Sequence, residues 1–127
     1  MVTTDVTQLA GECNTWRMKL RSHRDQLSKL NNNLQELAAR QHSRQILQDV
    51  EHFHNQFHIQ LINVHDLKHS IKDHEKIADW EMGRMEGQCS DATWAAHEDL
   101  YDQYQQLDHT LDELKKDYDN FSGRLKK

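Results

Sequence analysis

Apolar residues recur along this chain at alternating steps of four and three, the spacing that places side chains on one face of a helix. In the first third, Val2, Val6, Leu9, Cys13, Trp16, Leu20, His23, Leu27, Leu30, Leu34 and Leu37 keep that rhythm without a slip, a heptad seam. The spacing predicts one helix over residues 4–39, with Thr3 or Thr4 as its N-cap. Asn31, Asn32 and Asn33 are poor helix formers, but Leu34 and Leu37 hold the register through them, so the helix is expected to continue.

The middle of the chain, Ser43 to Met85, is 43 residues without proline and with one glycine, and it predicts a second helix over 43–85 capped by Ser43. At roughly 100° per residue, Ile46, Val50, Phe53, Phe57, Leu61, Val64, Leu67, Ile71, Ala78 and Met82 fall in a sector of about 120°, the width a one-sided helix buries. His54, His58, His65 and His69 form a row on its flank. Ile59, Ile62, Ile77 and Trp80 fall near its back.

Gly87 to Ser90 is the strong turn signal, and Ser90 is placed to cap a third helix over 90–126. There Leu100, Tyr104, Leu107, Leu111, Leu114, Tyr118, Phe121 and Leu125 resume the seam, with Trp94 and His97 upstream. Short connections join only antiparallel neighbours. The expected fold is therefore all-α, an antiparallel three-helix bundle of long helices, up-down-up and coiled-coil-like, forming one domain over 1–127. The rod should be roughly 55 to 65 Å long. This layout resembles a spectrin-type three-helix coiled coil, with Trp16 near the start of the first helix.

The composition narrows the class. Hydrophobic residues make up 35% of the chain and mean hydropathy is -1.02, enough for three helices that each bury a stripe. A net charge of -5 disfavours a nucleic-acid partner, which needs a basic face. No run is long and apolar enough to span a membrane, and no secretory signal opens the sequence, so the expectation is a cytoplasmic protein with no membrane partner. Cys13 and Cys89 are expected about 20 residues apart along the bundle, roughly 30 Å, too far for a disulfide. Both are then free thiols, with Cys13 acting as a small hydrophobe.

Ten histidines, six of them between Ser43 and Met85, carry the candidate chemistry. His54 with His58, and His65 with His69, are pairs four apart that can face one metal ion; a full site needs ligands from elsewhere, and His23, expected level with His58, Glu51 and Asp66 are the nearby candidates. His23, His74 and His97 read as hydrogen-bonded core residues at different levels of the rod. Asp91, Glu98, Asp99, Asp102, Asp108, Asp112 and Glu113 have no Lys or Arg among them, which reads as a solvated face and, functionally, as a docking face for a basic partner. Neither cysteine sits in a nucleophile signature, and no phosphate loop is present.

Two further resemblances concern the middle helix. The stretches Val50 to Phe57 (VEHFHNQF) and His65 to Ile71 (HDLKHSI) look like the central helix of a family of small bacterial helical proteins, which implies a cytosolic protein without assigned chemistry. His52-Phe53 with Gln56, the His65 and His69 pair, and His97 with Asp102 are similar to the hemerythrin diiron pattern. They depart from it at Gln56, where the family has a bridging carboxylate, and in lacking a turn between the histidine stretches.

The reading is a non-enzymatic structural or protein-interaction module with no catalytic, cofactor or metal residues assigned; the alternative is a metal-binding bundle, diiron or zinc. The expected partner is a second copy: a two-fold axis near Lys68 to Ser70 lays Ile59 and Ile62 on the partner's Trp80 and Ile77.

Overall fold

The computed structural model describes residues 6–125. Three helices follow in order, α1 (Val6–Ala38), α2 (Arg44–Arg84) and α3 (Asp91–Leu125), and each packs on the other two. The fold is an all-α three-helix bundle. With 41 residues in α2, the bundle is roughly 62 Å long at 1.5 Å per residue. None of its helices is long and apolar enough to cross a membrane.

The seams decide which faces are buried. Leu9, Cys13, Trp16, Leu20, His23, Leu27 and Leu34 are buried on α1, each on the predicted heptad stripe. On α2 the buried set is Phe53, Phe57, Gln60, Val64, Leu67, Ile71, His74 and Ala78; Ile46, Val50, Leu61 and Met82 are half-buried against it. Leu100, Leu111, Leu114, Tyr118 and Phe121 carry the core side of α3. Leu30 departs from expectation, being only half-buried although Leu27 and Leu34 on either side of it are fully buried. Val2, Thr3 and Thr4 lie outside the described residues, as does Lys126 at the far end of the predicted third helix.

Helix ends follow their chemistry. Ser43 is the N-cap of α2, its hydroxyl accepting from the Ile46 N–H at 3.5 Å. Ser90 does the same for α3, accepting from Thr93 N–H at 3.2 Å. Between them, Glu86 and Gly87 take positive φ angles of 54° and 84°, the left-handed backbone that ends a helix and that glycine adopts without steric cost. The asparagine run does not break α1. Asn31 Oδ1 meets His54 Nδ1 at 3.2 Å, and Asn33 Oδ1 accepts from the Tyr118 hydroxyl at 2.5 Å, so these residues hold cross-helix contacts that outweigh their weak propensity.

Candidate functional site

Because α1 and α3 run parallel, the first turns of both helices share an end of the bundle with the last turns of α2. Three buried polar side chains, one per helix, meet there: Cys13, His74 and His97. His74 Nε2 lies 3.0 Å from His97 Nδ1, and Cys13 Sγ lies 3.8 Å from the same atom. Their donor atoms all fall within 4.8 Å of one another, the one such trio among the described residues. His97 is wholly buried, and its Nε2 reaches Glu12 Oε1 at 3.2 Å. Trp16 stacks on the His97 ring at 4.8 Å between centroids, and Trp94 closes it edge-on at 6.1 Å.

One set of tautomers satisfies every contact. His97 donates from Nε2 to Glu12, and its one Nδ1 lone pair accepts from His74 Nε2–H, with the Cys13 thiol as a longer, weaker second donor. Burial, then the repulsion that two protonated rings, His74 and His97, would feel side by side, holds the His74 pKa below the ordinary histidine value, which keeps that ring neutral. Burial, with Glu75 adding to it, pushes the Cys13 thiol up to about 12. Such a thiol is protonated near neutral pH and is a poor nucleophile. Arg17 and Glu75 bridge α1 and α2 beside it. Nε and Oε1 are 2.6 Å apart but misaligned for a hydrogen bond, so the pair is joined by charge and by the 3.3 Å bond from Nη2 to Oε2.

Two expectations are corrected here. The seam spacing alone puts His74 and His97 at different levels of the rod, yet they touch, because the turn after Met85 folds α3 back along α2. The expected separation of Cys13 and Cys89 is about 20 residues along the bundle, whereas Cys13 is level with His97, eight residues beyond Cys89, or roughly 12 Å. They are nonetheless free and buried, and the Cys89 thiol donates to the Ala78 carbonyl at 3.7 Å.

The remaining histidines do not converge. His54, His58, His65 and His69 are all exposed, and His69 Nε2 lies 3.6 Å from Asp73 of its own helix. His23 is not beside His58. It is buried further up α1, its Nε2 2.7 Å from Asp108 and its Nδ1 2.6 Å from Lys115 Nζ. Lys115 also donates to Gln26, and burial lowers its pKa. This network crosses from α1 to α3 with its polar groups paired. The residues of the diiron pattern are likewise scattered: His52, His65, His69 and Asp102 are exposed, and of its histidines only His97 is in the core.

The back of α2 is as uncovered as its spacing implies. Ile59, Ile62, Ile77 and Trp80 are 45%, 48%, 53% and 60% exposed, and the Arg84 guanidinium lies over the Trp80 ring at 4.6 Å.

No family model matches the chain, and no curated protein or solved structure was found to match it.

Proposed function

We propose that this protein is a non-enzymatic interaction module, a coiled-coil-like bundle that pairs with a second copy of itself in the cytoplasm. The observation that carries the reading is the exposed apolar strip on α2. Single exposed apolar residues are ordinary, but four large ones aligned on one face are not. Their spacing is self-complementary: a two-fold axis between His69 and Ser70 sets Ile59 against the partner's Trp80 and Ile62 against the partner's Ile77. Such a contact is isologous and closes at two copies. Cys13 and Cys89 are free thiols, which fits a reducing compartment such as the cytoplasm.

The strip also limits the strength of pairing. From Ile59 to Trp80 it runs roughly 32 Å, and its apolar ends flank a polar centre. Asp66 and Asp73 are exposed on the same face, and the same axis opposes Asp66 to the partner's Asp73. Like charges there weaken the dimer and are screened by salt. Sedimentation equilibrium tests this directly. Wild type should dimerise at micromolar concentration, more tightly as salt rises, and Ile62→Lys with Ile77→Lys should give a folded monomer. Wild type that stays monomeric at high micromolar concentration in high salt, or a double variant that unfolds, would defeat the reading.

A further inference from the structure

We infer that Cys13, His74 and His97 form a binding site for a borderline-soft divalent transition-metal ion of the zinc kind, with Glu12 positioning His97 from behind. A thiolate and two imidazoles are a donor set that zinc accepts without preference for one electronic geometry. Zinc at ordinary bond lengths holds two nitrogens about 3.3 Å apart and a sulfur about 3.6 Å from each nitrogen. Here the nitrogens are 3.0 Å apart and Cys13 Sγ is 3.8 Å from His97 Nδ1. The third side is within 4.8 Å, so closing it asks for about 1 Å, the reach of a single side-chain torsion.

A second observation points the same way. Histidines that bind metal through one nitrogen characteristically donate the other N–H to a carboxylate, which fixes the tautomer. His97 does this, with Nε2 on Glu12 Oε1 at 3.2 Å and Nδ1 turned to the other two ligands. Charge also balances: a divalent ion, one thiolate and the Glu12 carboxylate sum to zero in a buried place where a net charge would be costly. On binding, the Cys13 S–H bond breaks, a sulfur–metal bond forms and the proton leaves to water. The His74 proton moves from Nε2 to Nδ1, so one proton is released per ion. A groove of about 430 Å³ between α1 and α2 is lined by Leu9, Ala10, Glu75 and Ala78 among others, neighbours of Cys13 and His74 along their helices.

The test is titration of the full, untagged, reduced chain with Co2+, which reports a thiolate ligand by sulfur-to-cobalt charge-transfer absorption. One equivalent should produce that band, and Zn2+ should displace it. Cys13→Ser and His97→Ala should abolish it, whereas Cys89→Ser and His54→Ala with His58→Ala should leave it intact. Glu12→Gln, at a partly exposed position, should keep the fold and weaken Co2+ binding about 10- to 100-fold. Absence of the band in folded wild type, or its persistence in Cys13→Ser, would overturn the site. If Cys13→Ser and His97→Ala do not fold, unaltered affinity in Glu12→Gln overturns it instead.

Discussion

At the end where α1 turns into α2, the core is built of rings. Phe53 packs on Phe121 at 5.0 Å between centroids, and Phe57 meets Tyr118 edge-on at 5.3 Å. At the opposite end, where α2 turns into α3, Leu9 and Trp16 share the interior with the polar or small side chains of Cys13, His74, His97, Thr93 and Ala78. Both ends are equally closed to water, but they are closed by different means. The aromatic end removes a large apolar area, which scales with stability. The other end must in addition satisfy each buried donor and acceptor, which returns little net free energy per bond while making every partner costly to lose. Truncating a ring is therefore expected to cost most in stability at the first end, and chemistry is expected at the second.

The largest effect should come from Phe57→Ala. Phe57 is fully buried among Phe53 and Tyr118, and truncation at such a site costs about 3 to 5 kcal/mol. Urea melts of the variant would measure it. A loss under about 1 kcal/mol would mean that the aromatic end does not carry the fold.

Leu111→Ala comes next, at about 2 to 5 kcal/mol, since Leu111 is fully buried in the middle of α3. Leu30 sits on an equally regular seam position but is half-buried. Its alanine variant should lose less, below about 2 kcal/mol. Matched denaturant curves in which Leu30→Ala is the more damaging change would show that seam position, not burial, sets the cost.

The seams were legible because periodicity reports which face is buried, and burial is what three mutually packed helices share. Even the exposed back of α2 followed from angle alone. The polar trio was missed for a different reason: periodicity fixes angle but not height. Height comes from counting away from a turn. His74 lies eleven residues before Met85 and His97 seven after Ser90, so the α2–α3 turn alone brings them near one level. Cys13 requires a second count through the 39–43 connection, and an offset of a few residues there moves a side chain by a full helical turn. Gln60, buried and accepting from Asn63 at 3.1 Å, had no apolar signal to mark it. The exposed histidine row drew attention by sequence spacing, whereas the residues that meet come from three separate helices.

The two helix caps compare the ends at smaller scale. Ser90 accepts from Thr93 N–H at 3.2 Å and donates to Glu81 at 2.9 Å, while the Ser43 hydroxyl makes, among the described residues, only the 3.5 Å bond to Ile46. Ser90→Ala should cost about 0.5 to 2 kcal/mol and Ser43→Ala less. Thermal melts of the two variants side by side would check the order, and a reversal would remove the case for a polar network at the α2–α3 end.

Glu81 ties that network to pH. Its carboxylate accepts from the Thr93 hydroxyl at 2.5 Å, from the Ser90 backbone N–H at 3.1 Å and from the Ser90 hydroxyl. These bonds, Thr93's foremost, hold its pKa below the ordinary value of 4.5. A carboxyl whose pKa is lower in the folded chain than in the unfolded one binds fewer protons when folded across that window, so stability rises with pH there. The contribution is complete above the unfolded value and is lost as pH falls through the folded one. Glu81→Gln cannot ionise and lacks this dependence. Urea midpoints of wild type and variant should therefore differ at about pH 6 and draw together as the pH drops below the ordinary carboxylate range. A gap that stays constant down to about pH 3 would show that the three hydrogen bonds do not favour the charged carboxylate, and that the α2–α3 end is held by packing alone.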